Sequence, residues 1–142
     1  MEIPQELPDR VEALLARRCC DAVGLARRAG LAVAGFERVN EAVRRGDAAL
    51  LLLALDGAGA SRNRLAGPAR DIASAAVLSA DELSAAFARE RVVFVAVGRG
   101  SLSSRLLLDL RRLAGFRPAA TLTGGIDVAP VAPGRQDGTE KA

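Results

Sequence analysis

The chain has 142 residues, half of them apolar, which is enough for one domain with a real core. It contains no His, Trp or Tyr and only four Phe. That composition excludes His-activated nucleophiles, argues against a metal site and rules out a platform of several stacked aromatics. The net charge of +3 is uneven, since residues 10–117 hold 18 Arg against 11 acidic residues, and Lys141 is the only Lys.

An arginine excess inside the folded part suits phosphate, because the planar fork of guanidinium can donate two bonds at once. The bland alternative is a solvated surface. The longest apolar run, residues 48–55, is far short of the roughly 20 residues of a membrane span. The opening residues lack the basic start and apolar stretch of a signal peptide. The expectation is a soluble cytoplasmic domain that is not an enzyme.

Residues 1–8, with Pro4 and Pro8, read as an extended lead-in or linker. Asp9 and Glu12 have capping-box spacing. Val11, Leu14, Leu15, Ala22, Leu25 and Ala26 then repeat with helical period up to Gly30. This helix carries Arg17-Arg18 and, in its last turn, Arg27-Arg28, where positive charge suits the helix dipole. Cys19 and Cys20 project about 100° apart on it, so they are expected to be reduced and unbridged.

Residues 31–34 predict a short strand. Gly35 opens a second helix over 35–45, with Phe36, Val39 and Val43 on its apolar face and Gly46 at its end. Residues 48–55 read as a central strand covered on both faces. After the Asp56-Gly57 loop, Ser61 starts a third helix over 61–73, interrupted at Gly67-Pro68. Residues 75–78 predict another short strand. Ser79 and Glu82 form a capping box for a fourth helix that buries Leu83 and Phe87.

Residues 92–97 are a second fully apolar strand. Leu102, Leu106, Leu110 and Leu113 mark a fifth helix, closed by Gly115. From Pro118 onward no periodicity remains, so 118–142 reads as a flexible tail behind a domain over 9–117. The predicted fold is α/β, a three-layer α-β-α sandwich around a single four-stranded mixed sheet. The two apolar strands are expected in its middle and the short ones at its edges.

Catalytic signals are weak. Gly98-Arg99-Gly100 lies between a strand and a helix, but a dinucleotide loop would need a third Gly where Ser103 stands. No nucleophile has an evident activator, and Asp81-Glu82 suits a helix first turn better than acid-base work. No cofactor and no metal are expected. The strongest signal surrounds the second helix. A Gly at its start leaves backbone N–H groups that can hold a phosphate. Glu37, Arg38 and Glu41 would share the solvent side, and Arg27, Arg28, Arg44 and Arg45 would hold phosphates.

Several pieces in order carry a resemblance: Gly24-Leu25-Ala26-Arg27-Arg28-Ala29-Gly30, Val33-Ala34-Gly35, Ala42-Val43-Arg44-Arg45-Gly46 and the apolar strand ending at Leu55-Asp56. Ser79-Ala80-Asp81-Glu82-Leu83 and Arg89-Glu90-Arg91-Val92-Val93 continue it. Together they resemble the superfamily of ribosomal kink-turn RNA-binding proteins, and in particular its bacterial YlxQ-like branch. The resemblance implies a three-layer α-β-α fold. It also implies RNA binding through the start of the second helix and the loop before the last strand.

That family carries Gly-x-Asn-Glu-Val-x-Lys at this helix. Here Gly35 and Val39 match, while Glu37, Arg38 and Glu41 replace the Asn, the Glu and the Lys, and the loop at 88–91 is charged rather than apolar. The RNA-binding set implied is Arg27, Arg28, Gly35, Phe36, Glu37, Arg38, Glu41, Arg44, Arg45, Arg89 and Arg91. The expected partner is structured RNA, ribosomal or kinked, in translation or transcription termination, with the ribosome or transcription machinery nearby. Residues 7–14 also look like the linker after a small YlxR-type domain, so the chain reads as a candidate second half of a two-domain protein. The alternative is a protein-interaction module of the same fold that has lost RNA binding.

Overall fold

Leu50, Leu51, Leu52 and Leu53 are all buried, and the pleat of a strand explains why four successive leucines are needed. Alternate side chains leave opposite faces of a sheet, so a strand covered on both sides must be apolar at every position. Leu50 and Leu52 join one core, while Leu51 and Leu53 join a second core on the opposite face.

The computed structural model describes residues 6–57 and 62–124. Among these residues the elements run α1 (Glu6–Arg28), β1 (Ala32–Ala34), α2 (Phe36–Arg45), β2 (Leu50–Leu53), two 3₁₀ turns (Arg62–Arg64 and Gly67–Asp71), β3 (Ala73–Ala76), α3 (Ala80–Phe87), β4 (Phe94–Val97), α4 (Ser101–Ala114) and β5 (Thr121–Thr123). The sheet order is β1-β4-β2-β3-β5, with β2 and β3 parallel and the other pairs antiparallel. Helices α1, α3 and α4 cover one face, and α2 with the 3₁₀ turns covers the other. The apolar strands β2 and β4 lie side by side within the sheet, as expected.

The sheet has five strands, which corrects the expected four. The extra strand, β5, is Thr-Leu-Thr with all three side chains exposed, so it carries no alternation to read. Its ladder with β3 pairs Ala75 with Leu122, and this places β3 inside the sheet rather than at an edge. The remaining tail, 125–142, lies outside the described residues, as do 1–5 of the expected lead-in and the Ser61 cap.

The helix expected over 61–73 is replaced by the two 3₁₀ turns. Gly67 and Pro68 are the reason: Pro68 starts a short turn well but cannot donate to a helix running through it. The connection still buries Leu65 and Ala69 in the second core, which lets it cross between the parallel strands. The first helix is already formed at Glu6, ahead of the expected start at Asp9. Pro8 fits in a first turn, where N–H groups lack intrahelical partners. Ser79 caps α3 as its spacing predicts, with both reciprocal capping-box bonds made.

One arginine locks the sheet to its helices. Arg117 Nε donates to Glu12 Oε2 at 2.9 Å, and its two terminal nitrogens donate to Glu82 at 2.7 and 2.8 Å. Nη1 also donates to the Val77 carbonyl at 2.8 Å. Glu12, the second half of the supposed capping box, is therefore half of an ion pair spanning 105 positions. The Arg117 bonds hold the Glu82 carboxyl below its ordinary range, against the opposing effect of burial.

Candidate nucleic-acid interface

The entrance of α2 is built from glycine. Gly35 has φ of +100°, a region that L side chains rarely adopt. Its N–H donates to the Phe94 carbonyl and its own carbonyl accepts from Val39, so the chain turns out of the sheet and into a helix in one residue. No side chain caps this end. The N–H groups of Phe36, Glu37 and Arg38 precede the first helical bond and carry the positive end of the dipole. At the other end Gly46, in the left-handed conformation, closes the helix with bonds from Gly46 and Asp47 to Val43 and Ala42.

The sides of α2 divide as its pattern predicts. Val39 and Val43 are buried, while Glu37, Arg38, Glu41, Arg44 and Arg45 are exposed. Phe36 is half-buried. Its ring meets Phe94 edge-on at 5.4 Å, and the Arg64 guanidinium lies over it at 5.0 Å. Phe36 thus anchors the helix to the second core. Asn40 Oδ1 accepts the Ala66 N–H at 2.7 Å and ties the 3₁₀ connection to the same helix.

The loop before β4 arrives at this entrance. Helix α3 ends on Ala88, which is left-handed, and Arg91 is left-handed as well. Each such non-glycine residue costs about 1 kcal/mol and persists because its neighbours hold it. Here Ser84 does the holding: its carbonyl accepts the Arg89 N–H, and its hydroxyl accepts the Val92 N–H at 2.9 Å. The strained turn leaves Arg89, Glu90 and Arg91 exposed. Arg89 Nη1 reaches the Ala34 carbonyl at 3.4 Å, and a Cβ built on Gly35 would stand 3.8 Å from its guanidinium. Arg89 therefore lies across the start of α2.

The residues expected to bind RNA fall in four places. Gly35, Phe36 and Glu37 share one end of α2 with Arg89 and the loop that carries Arg91. Arg44 and Arg45 lie at the other end, about 15 Å away along a ten-residue helix. Arg27 and Arg28 close α1 just ahead of the turn to β1, on the side where Gly98 packs against Leu31 and Asp47. Arg38 and Glu41 occupy the flank between, lining a cleft of about 560 Å³. Arg27, Arg28, Arg38, Arg44 and Arg91 have no hydrogen-bond or ion-pair partner among the described residues. Arg45 is paired with Glu41 at 3.1 Å, an exposed contact of small energy.

Sequence reasoning missed Arg64 and Arg99. Arg64 falls within the expected 61–73 helix, which does not form, and the Phe36–Phe94 stack fixes its place. Arg99 belongs to the Gly98–Gly100 turn, which carries no binding signal in the sequence, yet its Nη1 donates to the Gly46 carbonyl at 2.9 Å. The thiols are chemically quiet. Burial, with Asp109 adding, pushes Cys19 up to about 12, and burial with Glu82 pushes Cys20 up to about 11.

These features define an α/β domain with an arginine-lined helix entrance. No family model and no curated protein matches the chain. Among solved structures, a protein of unknown function from Bacillus halodurans is similar over 66% of this chain and 96% of its own, at 26% identity and a TM-score of 0.57. A 15.5kD RNA-binding protein from Giardia lamblia is similar over 72% of this chain and 89% of its own, at 16% identity and a TM-score of 0.57. At that identity the likeness is one of fold. No α-helix among the described residues is long and apolar enough to cross a membrane.

Proposed function

We propose that this chain is a cytoplasmic RNA-binding module, acting without catalysis, that grips structured RNA at the start of α2. The observation that carries this reading is Arg89 lying across Gly35, with Arg91 unpartnered in the same loop. Free helix N–H groups and the Arg89 guanidinium then meet where a phosphate backbone can approach, with Arg91 exposed in the same loop. The Giardia lamblia neighbour, an RNA-binding protein with this fold, supports the reading. A kinked or ribosomal RNA is the preferred partner, with a role in translation or transcription termination. The quiet thiols and a sequence without His agree with binding rather than chemistry.

Fluorescence anisotropy against a kink-turn RNA and a straight duplex of equal length, across a salt series, tests the proposal. Tighter binding to the kink-turn is the expected result. Equal binding that falls steeply with salt reduces the reading to a generic arginine surface. No binding to either RNA at low salt overturns it. The exposed carboxylate of Glu37 in the first turn of α2 favours a second reading, a protein-interaction module. Partners that co-purify through ribonuclease treatment would favour that alternative.

A further inference from the structure

Helix α1 carries two stripes. Ala16, Cys19, Val23 and Ala26 are buried and join the first core. Leu7, Val11, Leu14, Arg18, Asp21 and Leu25 are all exposed. The spacing of this second set alternates four and three residues without a break, which keeps it on one strip of the helix surface. A single exposed Leu needs no explanation. Four large apolar residues on one strip, with Leu14 64% and Leu25 50% exposed, are what one helix presents to another.

The two charged positions say which helix fits. Asp21 has no hydrogen-bond or ion-pair partner among the described residues. Arg18 makes one ion pair, Nη2 to Asp109 Oδ2 at 3.5 Å, and a guanidinium keeps further donors. If a second α1 runs antiparallel with its position 21 facing Arg18, its position 25 faces Leu14. Two-fold symmetry makes each contact twice, so the seam reads Leu14–Leu25, Arg18–Asp21, Asp21–Arg18, Leu25–Leu14. Arg17, on the flank, then lies nearest Gly24 of the other copy. Sliding one helix by a heptad would set Leu14 against Arg18, Val11 against Asp21 and Arg17 against Arg17. A parallel pair would set Arg18 on Arg18 and Asp21 on Asp21. The strip is therefore complementary to itself in one antiparallel register, in charge as well as in apolar contact.

We infer that two copies of this chain pair through this strip of α1, antiparallel, about a two-fold axis that passes between positions 18 and 21. Helix α1 covers the sheet face opposite α2, so the pairing leaves α2 uncovered in each copy. The inference is independent of the RNA reading, since none of the strip residues belongs to the RNA-binding set.

Sedimentation equilibrium of the full chain, from about 1 μM to about 1 mM, tests it. The expected result is a concentration-dependent equilibrium between monomer and dimer. Asp21→Arg should weaken the dimer at least about tenfold, because it sets like charges in both central layers. Leu14→Glu and Leu25→Lys should each sediment as monomers alone and restore the dimer when mixed, because position 14 faces position 25. All three positions are exposed, so circular dichroism and urea midpoints should match those of the native chain. A native chain that stays monomeric at about 1 mM overturns the inference. So does a dimer that survives both leucine substitutions, or a mixture that stays monomeric. A dimer tightened by Leu14→Glu overturns it too, because position 14 would then face Arg18.

Discussion

Two corners of the molecule use arginine in opposite ways. At Arg117 the guanidinium is 15% exposed and answered by two carboxylates and a carbonyl. At the entrance of α2, Arg89 is exposed with a single long bond to a carbonyl, and Arg91 has no partner among the described residues. The first arrangement satisfies its donors inside the fold and holds α1, α3 and the end of β3 together. The second leaves donors over for something outside. The residue type is the same, so an arginine count cannot distinguish a lock from a grip; the number of acceptors within reach can.

The sharpest way to break this contrast is Arg117→Ala. It strands Glu12, Glu82 and the Val77 carbonyl in a half-buried corner, and removing one partner of such a cluster costs about 3 kcal/mol. Urea unfolding should show the loss, while RNA affinity per folded molecule stays unchanged. An equal stability loss in Arg89→Ala would erase the distinction between the corners.

The next effect is on pH dependence. The folded state lowers the Glu82 pKa from an ordinary 4.5, so the stabilisation is fully present above that value and is lost as pH falls through the lowered one. The urea midpoint of the native chain should drop on acidification below about pH 4.5. The slope should flatten in Arg117→Ala. A slope unchanged by that substitution would place the acid sensitivity elsewhere.

Arg89→Ala should do the reverse of Arg117→Ala. Affinity for RNA is expected to fall about tenfold and the salt slope by about one, with unfolding shifted by less than about 0.5 kcal/mol. Arg38→Ala and Arg91→Ala should weaken binding less, by roughly a few-fold each, again with no effect on folding. Unchanged affinity in both would remove the flank and the loop from the interface.

The sequence made some of this legible and hid the rest for definable reasons. The Leu50–Leu53 run and the Phe94–Val97 strand could be read because double-sided burial leaves no polar position. Ser79 and Glu82 could be read because a capping box is local. β5 could not, since three exposed residues held by a backbone ladder leave no hydrophobic pattern. Arg117 was equally invisible, because its acceptors are 105, 40 and 35 positions away. The site divides in the same way. Gly35 and the α2 arginines stood out as one segment, whereas the meeting of Arg89 with Ala34 depends on a contact across 55 positions.

The strand order has a consequence for how the chain folds. β4 sits between β1 and β2, which do not pair with each other. During synthesis the first two strands therefore wait, unpaired across their facing edges, until residues 94–97 have been made. Such sequence-distant pairing slows folding relative to a helical bundle of similar size, because loop closure must precede its reward. The Leu50–Leu53 strand is the segment exposed in that interval. Folding from denaturant should accordingly be slowed most by substitutions in β4 and least by those in α1.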